Sequence, residues 1–325
     1  VAVAHNGNLT NAAALRRDYE SRGHIIQSTT DTEVIVHLLA EPDNLTRPDP
    51  LPHVLRQLSG AFSLLFLFPD RIEAARDPWG IRPLCIGRLA DGTSCLSSET
   101  CALDAIDATY IREVEPGEIV TIDDTGLRSR RFDQPAPLRA MCVFEHVNFA
   151  NPSSKVFGQT VHISRREMGR QLAREAAVEA DHVMPMPDSG RSAALGYAQE
   201  SGIRLEEGIV PNRFVGRTFI LPSQKARDRA VAQKLNIIPD VVAGKRIIIV
   251  EDSVVRGTTT RSKMRALRHA GAKEIHLRVS CPPIRHPCFY GIDFPTSSEL
   301  IAHNRTVEQI AQFLEVDSLA YLSLD

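Results

Sequence analysis

The sequence predicts two domains of different class, a layered α+β domain followed by an α/β domain built on a parallel sheet. Three observations carry this. Residues 1–134 hold many short strand-like runs and two early helices. Residues 247–280 read as strand, loop, helix and strand, a βαβ unit whose crossover should be right-handed. Between them, Pro135-Ala136-Pro137 lies in a polar stretch and reads as a linker, dividing the chain into 1–134 and 135–325.

Composition narrows the class. The chain has 325 residues, enough for two domains that each bury a core. Net charge is −2, so the bulk balance points to neither nucleic acid nor a membrane surface as partner. No apolar run reaches the length of a membrane span, and no signal peptide opens the chain. Six cysteines (Cys85, Cys95, Cys101, Cys142, Cys281, Cys288) lack the density of a secreted disulfide scaffold, so a reducing cytoplasm is expected. The sequence opens on Val1 inside a strand-like run and ends just after an apolar one, which reads as an internal piece of a longer protein.

Taken in order, residues 1–9 give a short strand and then a turn, because Asn6-Gly7 is a strong turn signal. Thr10 or Asn11 can cap a helix ending near Gly23, and Asp31 stands near the cap of a second amphipathic helix. Residues 60–68 read as a buried strand, 71–87 as strand, turn and strand, and 96–100 and 114–123 as further short strands. In the second half, apolar positions at helical spacing mark 163–180 as a scaffold helix. A strand then leads into Asp188-Ser189-Gly190 and a helix over 191–200. Residues 212–236 carry six cationic side chains, and 281–293 read as an ordered proline-rich loop.

The stretch 247–260 has the most chemical content. Ile247, Ile248, Ile249 and Val250 form a strand buried on both faces, and Glu251 and Asp252 follow at its end. A hydroxyl-rich loop with Gly257 leads into a helix from about 261 to 270. Such a loop beyond the carboxyl end of a strand aims backbone N–H groups at an anion, and Thr258, Thr259 and Thr260 add hydroxyl donors. The acid pair would repel a phosphate, so it calls for sugar hydroxyls or Mg²⁺. A phosphorylated ribose satisfies both halves. No Walker loop or dinucleotide fingerprint is present.

This segment resembles the phosphoribosyl pyrophosphate (PRPP) loop of type I phosphoribosyltransferases. The motifs HNGNLTN, STTDTE, RDPWGIRPL, SSE and PGEIV, in that order, resemble the glutaminase domain of the glutamine PRPP amidotransferases. The resemblance spans essentially the whole chain. It implies an incomplete N-terminal-nucleophile glutaminase of αββα layers, followed by a type I phosphoribosyltransferase domain. The implied reaction transfers ammonia from glutamine to C1 of PRPP, releasing pyrophosphate and giving 5-phosphoribosylamine, the first step of de novo purine synthesis.

Carried over residue by residue, the resemblance implies Asn6 and Gly7 as the oxyanion pair and Asp31 as the holder of the glutamine α-ammonium. The family's amino-terminal cysteine nucleophile has no counterpart here, so this stretch alone is not expected to hydrolyse glutamine. PRPP binding would fall to Glu251, Asp252, Ser253, Arg256, Gly257, Thr258, Thr259 and Thr260, with Asp188 and Arg217. Mg²⁺ would associate with Ser189, Glu251 and Asp252. Cys142 and Cys288 match two ligands of the [4Fe-4S] cluster found in one branch of the family. The cationic stretch resembles a flap that closes over PRPP. Purine nucleotides as inhibitors and a homo-oligomer are also implied.

Four departures from the family pattern stand out. Glu251 replaces an aspartate, Pro211 a lysine and Phe214 a tyrosine, and Asn148-Phe149-Ala150-Asn151-Pro152-Ser153-Ser154 replaces Tyr-Phe-Ala-Arg-Pro-Asp-Ser. A non-catalytic PRPP-binding regulator, a base-salvage phosphoribosyltransferase and an inactive paralogue are the rival readings. Asn6, Asp31 and the cationic stretch weigh against the first, and the amino-terminal domain weighs against the second.

Overall fold

The computed structural model describes residues 1–212, 235–294 and 296–324. Of the cationic stretch 212–236, residues 213–234, with Phe214 and Arg217, lie outside the described residues. The chain forms two compact units. The first contains Val1–Val143, Ser153–Gln159 and Cys288–Asp293, and the second Phe144–Pro152, Thr160–Pro287 and Phe294–Asp325. The stretch read as a linker is fastened within the first unit. Backbone N–H groups of Ala136, Ala140 and Cys142 donate to the carbonyls of Pro78, Trp79 and Ile81 at 2.8, 2.9 and 3.0 Å.

The first unit runs β1 (Ala2–Leu9), α1 (Ala12–Ser21), α2 (Glu33–Ala40), α3 (Pro42–Leu45), α4 (Leu51–Leu55), β2 (Gly60–Leu67), β3 (Ile72–Arg76), β4 (Cys85–Arg88), β5 (Ser94–Ser97), α5 (Thr100–Asp104), β6 (Thr109–Glu113), β7 (Glu118–Asp123) and β8 (Gly126–Arg131). Antiparallel strands β1-β2-β3-β7-β8 form one sheet and β5-β4-β6 a second. Period-two alternation gives the large sheet two apolar faces. Phe62, Leu64 and Phe66 of β2 pack on Val34, Ile35 and Leu38 of α2. Ala74 and Val120 face Leu84 and Ile86 of the small sheet. Leu103 of α5 covers Cys85 on that sheet's far side. The layers are therefore α, β, β and α.

One expectation is corrected here. Asn6-Gly7 is not a turn: β1 continues through it in unbroken register with β2, Asn6 opposite Ser63 and Gly7 opposite Phe62. Glycine is required for another reason. Gly7 has φ +145°, and a Cβ there would lie 2.0 Å from the Ala61 carbonyl oxygen.

A short hairpin, β9 (Lys155–Val156) and β10 (Gln159–Thr160), precedes the main elements of the second unit. These are α6 (Val161–Glu175), β11 (His182–Pro185), α7 (Arg191–Ser201), β12 (Ile209–Pro211), β13 (Leu235–Ile237), α8 (Pro239–Val242), β14 (Arg246–Glu251), α9 (Thr258–His269), β15 (Glu274–Val279), α10 (Val307–Leu314) and β16 (Ser318–Tyr321). The parallel sheet has the order β11-β14-β15-β16. Alternate β14 residues serve opposite cores. Ile247 and Ile249 pack with Met264 and Leu267 of α9, whereas Ile248 and Val250 pack with Leu172, Ala194 and Tyr197 of α6 and α7. Burial on both faces explains why β14 reads as a continuous apolar run. The helix expected over 163–180 stops at Glu175, and the one expected from about 261 begins at Thr258.

Candidate functional sites

In the second unit, β14 ends at Glu251 and the chain turns through 252–257 into α9. Gly257 caps α9 at φ +78°, where a Cβ would come within 2.5 Å of Ile301. Left-handed backbone and tight packing both select glycine. The threonines do not sit in the loop; they are the first turn of α9. Thr258 and Thr259 are exposed, while Thr260 turns inward and is buried. The opposite wall is the turn 186–190. Met186 N–H donates to the Val250 carbonyl at 2.8 Å and Gly190 N–H to Met186 at 3.0 Å. A Cβ on Gly190 would meet the Val250 oxygen at 2.3 Å, so this turn is pressed against the end of β14. The Pro187–Asp188 peptide is cis. Asp188 is exposed and Ser189 half-buried beside it.

The acid pair is buried, with Glu251 5% and Asp252 4% exposed. Each carboxylate has its own partners. Asp252 accepts the Ser253 N–H at 2.6 Å and a bond from the Asn148 side-chain amide. Glu251 accepts from the Lys263 ammonium of α9 at 3.3 Å. Burial pushes the Glu251 carboxyl up to about 7; Lys263 opposes that and the neighbouring Asp252 adds to it. Arg256 is exposed and paired with Glu299 at 2.7 Å. Lys263 also lines a cavity of about 50 Å³ with Ile209, Leu235, Ile237 and Thr259.

Among the described residues no three His, Cys, Asp or Glu side chains form a metal cluster. Two adjacent carboxylates suit Mg²⁺ only when it arrives with ligand phosphates that complete its octahedron.

In the first unit, alternation along β1 sends His5 and Asn6 to different partners. The Asn6 amide donates to Ser98 Oγ at 3.3 Å. His5 Nδ1 lies 3.2 Å from Thr32 Oγ1 and 3.4 Å from Asp31 Oδ2. Asp31 also accepts the Leu9 N–H at 2.8 Å. Burial by itself would raise the Asp31 carboxyl, yet His5 and the Leu9 N–H hold it below the usual carboxylate range. Asp31 is thus a fixed, ionised carboxylate, the property needed to hold an ammonium. Its loop is pinned by Glu33, which accepts the N–H groups of Gln27 and Ser28, both at 2.7 Å.

Residues 288–293 lie across β1. Asn8 Nδ2 donates to the Phe289 carbonyl at 2.8 Å, Arg82 Nη2 donates to Gly291 at 2.8 Å, and a Cβ on Gly291 would sit 2.7 Å from the Gly7 carbonyl. Cys142 and Cys288 stand outside any disulfide, each half-buried, and both belong to this unit. The Arg82 guanidinium approaches Cys142 Sγ at 4.0 Å, and Cys288 Sγ accepts the Tyr290 N–H at 3.3 Å.

No sequence pattern marks Lys263, His5, Ser98 or Arg82 as site residues, and Asn148 stands out there only as a departure from the family segment. Asn148 and Ser98 meet partners 104 and 92 positions away, which no local pattern announces, and Lys263 meets Glu251 across the turn between β14 and α9. His5 had one available signal, its place beside Asn6 on an alternating strand.

The chain is similar in sequence and fold to a group of known proteins. The glutamine amidotransferase domain family matches residues 1–105. Amidophosphoribosyltransferase of Bacillus subtilis is 47% identical over 325 residues, covering 100% of this chain and 68% of the relative. The Methanocaldococcus jannaschii enzyme is 47% identical, covering 100% and 72%. The chloroplastic enzyme of Glycine max is 48% identical, and the chain spans 57% of its length. The solved B. subtilis glutamine PRPP amidotransferase superposes with a TM-score of 0.92, covering 99% of this chain and 70% of that one.

Fold and site define a glutamine amidotransferase domain followed by a phosphoribosyltransferase domain. The chain belongs to the amidophosphoribosyltransferase family.

Proposed function

We propose that the full-length protein takes ammonia from glutamine and transfers it to C1 of PRPP, releasing pyrophosphate and forming 5-phosphoribosylamine, the first step of purine synthesis. The observation that carries this is the junction of β14 with α9. Two buried acids stand at the strand's end, and a left-handed glycine opens a helix three residues before a buried threonine. N–H groups at the start of α9 and the Thr258 and Thr259 hydroxyls suit the 5-phosphate. Asp252, oriented by Asn148, suits the ribose diol. Fixing both ends of the sugar places C1 for in-line attack. Carboxylates near the ring favour an oxocarbenium-like transition state. Mg²⁺ bound with PRPP would offset the charge of the departing pyrophosphate.

In the first unit, Asp31 suits the glutamine α-ammonium, and Asn6 with Gly7 suits the oxyanion of amide hydrolysis. Cys142 and Cys288 would supply two thiolates to an iron–sulfur cluster in the full-length protein. The B. subtilis relative was solved with ADP and GMP, which supports purine nucleotides as regulators here. A homo-oligomer in the cytoplasm completes the reading.

The test is pyrophosphate release from PRPP with Mg²⁺ and ammonium. Release that depends on ammonium supports the transferase. PRPP binding without release would favour a non-catalytic PRPP-sensing regulator.

A further inference from the structure

Lys263 has no role in the reading above, yet it is placed with care. On α9, Thr260, Met264 and Leu267 are buried, so Lys263 borders the inner face, three residues from Thr260 and four from Leu267. Its stem lines the apolar cavity with Ile209, Leu235 and Ile237. Its head turns inward and meets Glu251 at 3.3 Å, with 24% of the side chain exposed. A lysine at the rim of a helix can keep its ammonium in water at little cost. Ordering it against a buried carboxylate costs the rotamer freedom of a long side chain, which the ion pair must outweigh.

Glu251 explains the need. Strand alternation puts it on the α9 side of the sheet with Ile247 and Ile249, directly before Asp252. Asp252 is tied by Asn148 and by its own following N–H. Glu251 has one methylene more than aspartate, hence an extra rotor, and a like charge beside it. Without an anchor, its carboxylate has several positions and is repelled by its neighbour. The additional reach is what brings it to Lys263.

We propose that Lys263 is a positioning residue of the ribose-phosphate site, a partner to glutamate at position 251 that holds this longer carboxylate in one place beside Asp252. The pairing also lowers the negative charge that the site presents to a polyanionic ligand. The inference rests on the PRPP reading of this site.

A double-mutant cycle on the full-length protein tests it, using Lys263→Met, Glu251→Asp and both together. PRPP affinity is measured by calorimetry, ammonium-dependent turnover by kinetics and stability by urea midpoint. Lys263→Met is expected to weaken PRPP binding about tenfold and raise KM alike, leaving kcat within about twofold. Lys263→Arg should keep most of the affinity. Glu251→Asp should cost no more than about threefold, and the double variant should bind as well as Glu251→Asp alone. Full loss carried into the double variant, or no loss in Lys263→Met, overturns the proposal. If the unaltered protein binds no PRPP, the reading of the site falls. The pairing is then decided by the urea midpoints, where additive effects would overturn it.

Discussion

The side-chain amide of Asn148 donates to the carboxylate of Asp252. The two residues lie 104 positions apart, and the bond orients a carboxylate that is almost wholly buried. A hydrogen bond to a charged acceptor contributes about 1.5–3 kcal/mol. Replacing Asn148 by alanine should therefore weaken PRPP binding about tenfold or more, measured by equilibrium titration. Unchanged affinity would remove Asp252 orientation from the account of the site.

Gly7 and Gly291 should respond differently to a methyl group. At Gly7 the new Cβ would meet the Ala61 carbonyl at 2.0 Å inside a paired strand, and φ is +145°. At Gly291, where φ is also positive at +98°, it would meet the Gly7 carbonyl at 2.7 Å from a segment without regular structure. Gly7→Ala should cost about 2–3 kcal/mol or more in a denaturant titration, and Gly291→Ala less. The reverse order would show that 288–293 is the less yielding side of this contact.

Acid should loosen the segment that carries Asp31. The Ser28 hydroxyl and the N–H groups of Gln27 and Ser28 hold the Glu33 carboxyl down at about 2, against 4.5 for a free glutamate. A depressed carboxyl stabilises the fold above its unfolded pKa, and that contribution disappears as pH falls through the folded value. Between pH of about 4.5 and 2, the melting temperature of the native protein should therefore drop more steeply than that of Glu33→Gln. Parallel curves would mean that Glu33 is bound no better in the folded chain than outside it.

Arg82 should govern the order of 288–293. Its Nη2 donates to the Gly291 carbonyl at 2.8 Å from a residue only 4% exposed. Arg82→Met keeps the stem and removes that donor. Backbone amides of 289–292 should then exchange with deuterium at least about tenfold faster, while those of β2 and β3 stay unchanged. Equal protection in both proteins would assign the holding of this segment to Asn8 and packing.

Local pattern exposed the parts of the site that local physics builds. Four β-branched residues ending in two acids read as a doubly covered strand, but the helix that follows starts at Thr258, directly after Gly257 and three residues earlier than the sequence suggests. Pairing across the chain was hidden. Asn6-Gly7 carries a turn signal, but eight bonded positions on β2 outweigh that local preference. The threonines suggested a loop because β-branched residues are mediocre helix formers, yet packing of Thr260 and Met264 draws all three into α9. Lys263 and Asn148 acquire meaning only from what folds beside them. Most of the cationic stretch, with Arg217, lies outside the described residues.

The unit containing Asn6 and Asp31 is closed by Cys288–Asp293, residues encoded more than 150 positions after β8. Genetic dissection at Val143 would consequently leave Gly7 without its cover and remove the Gly291 carbonyl from Arg82. Separately expressed halves ought to behave as an incomplete module and a donor of the missing piece, so that mixing them, rather than purifying either, restores the native amidotransferase end.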